Sequence, residues 1–112
     1  MSGFKIKKYF TMFAMILFLA GCSNLDIQKL NQRSIELMNS GNIYGAIARL
    51  ESINDLYPKF PQTHYNLGIA YHKKGEFDKA IDDYETALRL DPNFETTKTK
   101  LENARKEKAK QP

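Results

Sequence analysis

Three groups of side chains are of types that could carry chemistry: the single cysteine Cys22, the histidines His64 and His72, and the acidic cluster Asp82, Asp83 and Glu85. A lone cysteine cannot close an internal disulfide, and with no second cysteine it makes a poor metal site. The histidines are eight residues apart, about 80° around a helix, so they do not converge as ligands at i and i+4 would. Asp82 and Asp83 are neighbours that point to different sides of a helix, and Lys79 and Arg89 flank the cluster, so it reads as a solvated face. There is no glycine-rich phosphate loop, nucleophile elbow or CxxC pair. Neither an enzyme nor a metal site is expected, and no cofactor beyond a group attached to Cys22.

The surroundings of Cys22 say what that group would be. Lys5, Lys7 and Lys8 precede an apolar run from Tyr9 to Ala20 interrupted only by Thr11, and Ala20 and Gly21 lead to the cysteine. A positive start, a short apolar middle and small residues are the layout of a secretory signal. The run holds about a dozen residues, whereas a membrane-spanning helix needs roughly 20. The bland alternatives are a buried core thiol or the end of an uncleaved anchor. Leu19-Ala20-Gly21-Cys22 resembles the lipobox of bacterial lipoproteins. The resemblance implies that residues 1–21 are a signal peptide cut away before Cys22, that Cys22 carries a covalent lipid, and that residues 22–25 form a short tether. A thiol suits the modification because its thiolate is strongly nucleophilic. Two or more acyl chains anchor stably where one does not. The implied location is a cell membrane on its extracytoplasmic side; Ser23 after the cysteine resembles the pattern sent to the outer membrane, facing the periplasm, in a two-membrane envelope.

The chain of 112 residues has 17 basic and 13 acidic side chains, a formal net charge of +4. Three of those lysines precede the apolar run, so from Cys22 onward 14 basic residues face 13 acidic ones. That balance gives little reason to expect a nucleic-acid partner. The remaining excess gathers at the end, where Lys98, Lys100, Arg105, Lys106, Lys108 and Lys110 face Glu102 and Glu107. It reads as a solvated helix end, or as a patch for anionic lipid or a partner. The 91 residues from Cys22 make one small domain with a modest core. Without a disulfide, local stacking or oligomerisation must compensate.

Internal repetition organises the rest. Gly41 and Gly75, Ala46 and Ala80, Ile47 and Ile81, Leu56 and Leu90, and Pro58 and Pro92 are each 34 residues apart. Within each copy an apolar stripe at helical spacing precedes a glycine turn and a second stripe follows. Gly75 suits a left-handed helix end, Glu76 and Asp78 suit the positive start of the next helix, and Pro58 and Pro92 each terminate a pair of helices. Helices are expected at Asp26 to Asn39, Asn42 to Leu56, Gln62 to Lys74, Asp78 to Arg89 and Phe94 to Lys108. The last lacks the repeat signature but carries Phe94, Thr97, Leu101 and Ala104 on one face, as a capping helix with one polar side should.

The copy containing Leu67, Gly68, Tyr71, Gly75, Ala80, Tyr84, Ala87 and Pro92 is similar to the tetratricopeptide repeat. His64 departs from the pattern, which often has tryptophan there, and implies a pocket filled by something smaller. The copy at 26–60 is degenerate, with Arg33 and Ser34 where Leu-Gly is expected. The implied fold is all-α: a tetratricopeptide-like array of helical hairpins, with repeats at 26–60 and 61–93 and a capping helix and basic tail at 94–112.

The resemblance further implies recognition of a polypeptide on a concave surface lined by the first helix of each repeat. That lining would comprise Gln28, Asn31, Gln32, Ile35 and Asn39, then Gln62, Tyr65, Asn66, Ile69, His72 and Lys73. Asn66 lines up with an asparagine that clamps a C-terminal carboxylate in some repeats, though Asn31 and Ile35 stand where the clamp has lysine and asparagine, and Lys100 alone falls near an expected basic position. Two functions fit: a lipid-tethered adaptor for an envelope assembly with an unidentified protein or peptide partner, or a scaffold that associates with itself. About three repeats are usually needed for a stable array, so a homodimer or larger partner is a reasonable expectation for two.

Overall fold

The computed structural model describes residues 24–112. The expected signal peptide and the lipidated Cys22 lie outside the described residues. The described chain is helical without strands: α1 at residues 24–39, α2 at Ile43–Leu56, α3 at Pro61–Lys74, α4 at Phe77–Leu90 and α5 at Glu95–Ala109. The ends fall within two residues of those expected. Because α1 already includes residue 24, at most one residue separates it from Cys22.

Local chemistry sets these boundaries. Gly41 and Gly75 adopt φ of 88° and 82°, where a side chain would be strained. Each closes its helix identically: Gly41 N–H donates to Met38 and Asn42 N–H to Leu37, as Gly75 does to His72 and Glu76 to Tyr71. Asn42 caps α2 by accepting from the Gly45 amide at 2.9 Å. Pro61 opens α3 at a position where its missing N–H costs nothing. Glu76 precedes α4 but makes no capping hydrogen bond; its carboxylate pairs instead with Lys74 and Lys79.

Short connections make consecutive helices antiparallel, and α3 packs on α2, α4 and α5. The N-termini of α1, α3 and α5 therefore share one end of the array with the C-termini of α2 and α4; this is the end at which the chain enters. There His64 lies 2.8 Å from the Pro58 carbonyl, and the Tyr65 and Phe94 rings are 4.8 Å apart. At the opposite end Lys108 pairs with Asp78, and Lys74 sits 4.8 Å over the Tyr44 ring.

The core runs between the layers through Ala46, Leu50, Ile53, Leu67, Ala70, Ala80, Tyr84, Leu101 and Ala104. Tyr84 is fully buried, and its ring lies so close to Gly68 that a Cβ there would stand 2.5 Å from it. A small residue on α3 is thus what lets the large ring fit. The face expected for the last helix is the one it buries, through Thr97, Leu101 and Ala104.

Candidate functional site

Helix α3 is central because it touches α1 on one side and α5 on the other. Its side chains sort by angle, at about 100° per residue. Thr63 and Asn66 lie together and meet α1: Asn66 Nδ2 donates to Asn31 Oδ1 at 3.0 Å, and Asn31 Nδ2 donates to Thr63 Oγ1 at 3.1 Å and to the Ile27 carbonyl at 3.0 Å. Asn31 is 2% exposed and Asn66 not at all. Both were expected on the open lining; instead they bond to each other within a buried network that fixes the register of α1 against α3. In this arrangement both amides are buried and engaged within the array rather than presented on the open face.

Roughly 140° further around α3, Tyr65 and His72 turn toward α5 and the segment before it. Tyr65 stacks on Phe94, and His72 Nε2 is 3.1 Å from Glu107 with its ring edge-on to Phe77 at 5.4 Å. Both are half-buried. Between the two sides a narrower strip stays open: Gln62 and Ile69, half-buried, and Lys73, exposed. Gln62 Nε2 reaches Asn66 Oδ1 at 3.2 Å, which fills the last acceptor of the asparagine pair and orients the glutamine. On α1 the matching strip is Gln28, Gln32 and Asn39, exposed, with Ile35 half-buried.

Across this strip the two repeats agree where it counts. Gln28 and Gln62 are 34 residues apart, and so are Ile35 and Ile69. The glutamines lie toward the surface, while Ile35 and Ile69 pack partly against the core and keep an edge on the strip; the matches were readable from the 34-residue spacing once the lining positions were aligned. The surface offers two amide side chains and two branched apolar ones in register, with Lys73 at one end.

The structure also joins two groups that sequence spacing set apart. His64 is 7% exposed, with Nε2 2.8 Å from the Pro58 carbonyl and Nδ1 3.2 Å from Asp83 Oδ1. Both partners offer oxygen acceptors, so the geometry favours the imidazole that carries a proton on each ring nitrogen. The Asp83 carboxylate first, and then the Pro58 carbonyl, raise its affinity for the proton; burial and Arg89 oppose them. The acidic cluster is therefore only partly a solvated face: Asp82 is exposed, but Asp83 holds His64 and Glu85 pairs with Arg105 at 2.7 Å. The position expected to hold a small filler holds a charge pair that ties α3 to α4 and to the preceding loop. Among the described residues no three His, Cys, Asp or Glu side chains gather as a metal site.

Residues 61–94 match the family model of the tetratricopeptide repeat. A stretch of 46 residues is 41% identical to the peroxisomal targeting signal receptor of Saccharomyces cerevisiae; it covers 41% of this chain and 8% of that one. Among solved structures, the Sgt2 TPR domain from Aspergillus fumigatus superposes with a TM-score of 0.71 at 26% identity, covering 75% of this chain and 56% of that one. The chain thus spans about half of the solved domain and a small part of the receptor. What the chain contains is a tetratricopeptide repeat, set within a tetratricopeptide-like array of helices.

Proposed function

We propose that this chain is a membrane-tethered adaptor that holds a polypeptide on the open strip of α1 and α3, and that its tether is a lipid on Cys22. The observation that carries the recognition half is the doubled pair: Gln28 with Ile35 and Gln62 with Ile69 repeat the same side chains at a 34-residue interval on an uncovered surface. The amides can exchange hydrogen bonds with a bound backbone, and each isoleucine offers a partly exposed apolar anchor. The two relatives lend support, one being named as the receptor of a targeting signal. The tether rests on Leu19-Ala20-Gly21-Cys22 and the basic and apolar residues before it. With α1 already formed at residue 24, the array would ride close to the bilayer, so its partner would be membrane-proximal.

The test is a photo-crosslinking residue in place of Ile69 in the full chain, activated in intact membranes. A second polypeptide should be trapped there and not from the same residue in place of Asp82 on α4. An adduct only between two copies of this chain would point to a self-associating scaffold. Equal adducts from both positions, or none from Ile69, would remove the recognition reading.

A further inference from the structure

The exposed apolar side chains of the array are not scattered. Among the described residues, the large ones are Leu25 at 57%, Tyr44 at 72%, Leu56 at 72%, Tyr57 at 37% and Leu90 at 37% exposure. Leu25 stands in the first turn of α1, Leu56 and Tyr57 close α2, and Leu90 closes α4. All four therefore lie at the entry end, while Tyr44 alone is at the opposite end, where Lys74 covers one face of its ring. Leu56 and Leu90 are a further pair at the 34-residue interval, so the feature belongs to both repeats. Nothing within the array needs these side chains exposed, and a leucine that is largely solvated gains little for the core.

The occupant follows from where the chain goes. Residues 1–23 precede α1 at this same end and include the apolar run Tyr9 to Ala20 and Cys22. Whether the membrane is held by lipid on Cys22 or by the apolar run itself, the entry end is the one drawn against it. We propose that this end is a lipid-facing surface: Leu25, Leu56, Tyr57 and Leu90 dip into the interfacial region of the bilayer and set the array upright on the membrane, with the strip of α1 and α3 facing sideways. This rests on the tether in the proposed function but makes a separate claim about orientation. Around the leucines, Lys29, Lys59 and Arg89 alternate with Asp26, Asp55 and Asp91. The attraction is therefore apolar rather than electrostatic, and zwitterionic lipid suffices.

The chain has no tryptophan, so a single one reports its own surroundings. Leu56→Trp, Leu90→Trp and Tyr44→Trp full-length proteins, isolated from membranes, are reconstituted into phosphatidylcholine vesicles whose acyl chains are brominated near the headgroup. Flotation with the vesicles reports the tether itself, and its failure would count against the proposed function. In proteins that float, emission from positions 56 and 90 should be quenched, at an insertion depth of about 5–10 Å, and should stay quenched in high salt. Position 44, as exposed as 56 but at the far end, should match its emission in unbrominated vesicles. Flotation without quenching at 56 and 90, or equal quenching at 44, overturns the orientation. A blue shift at 56 that follows protein concentration rather than lipid would mean a second copy covers the end, and would overturn it as well.

Discussion

Replacing Gly68 with serine measures how the two repeats solve one packing problem in different ways. A Cβ at position 68 would stand 2.5 Å from the Tyr84 ring, which is fully buried and flanked by Tyr65 and His72 at centroid distances of 6.2 and 6.3 Å. The ring has little room to retreat, and overpacking of this kind costs about 1–3 kcal/mol. Serine recovers roughly 0.5 kcal/mol of helix propensity over glycine, so the clash wins, with a net loss of about 1–2 kcal/mol. For a domain of this size each kcal/mol lowers the melting temperature by about 4–8 °C. The first repeat supplies the compensation: at the equivalent positions it carries Ser34 and Leu50, both fully buried. Tyr84→Leu alone should leave a cavity and destabilise. Gly68→Ser with Tyr84→Leu should be more stable than the two losses added together, by about 1 kcal/mol or more. Thermal and urea unfolding followed by circular dichroism gives all four corners of the cycle. Strict additivity, or a Gly68→Ser protein as stable as the parent, would refute the reasoning.

Three other outcomes follow. His64 sits between two acceptors and its proton affinity is raised above the ordinary 6.5, so its contribution is complete below that pH and is lost as pH rises through the higher folded value; the melting temperature should fall as pH is raised above 6.5, and His64→Gln should remove that slope. Tyr84 buries a hydroxyl with no partner among the described residues, and burial foremost keeps it protonated; Tyr84→Phe should therefore be neutral or stabilising by up to about 1 kcal/mol in urea unfolding. Cys22→Ser should move the protein out of the lipid-modified membrane fraction, checked by intact mass and fractionation; unchanged mass and location would sink the lipid tether.

The helices and the hairpin order were legible because glycine turns, terminating prolines and apolar stripes all repeat at one interval. The degenerate look of the first copy has a structural reason. Arg33 is exposed on the outer edge of α1, whereas its equivalent Leu67 is 3% exposed because α2 covers that side of α3. An edge without a neighbouring helix tolerates the charge. The lining was legible only in part. Position along a first helix identified the strip, but polarity alone could not separate Asn31 and Asn66, which satisfy each other, from Gln28 and Gln62, which stay near the surface. That distinction depends on the angle between α1 and α3, which no local pattern encodes. The His64–Asp83 pair was hidden for the same reason: nineteen residues separate its members, and only the packing of α3 on α4 joins them.

The central claim is that the strip of α1 and α3 holds a polypeptide, and co-purification from solubilised membranes tests it most directly. Ile35→Glu with Ile69→Glu introduces charge at both half-buried anchors while leaving the Asn31–Asn66 network and Cys22 untouched. Loss of about 1.5 kcal/mol at each anchor corresponds to at least a tenfold drop in recovered partner. Tyr44→Glu, at the far end of the array, should recover as much partner as the parent. Undiminished recovery by a folded Ile35→Glu, Ile69→Glu protein would contradict the account.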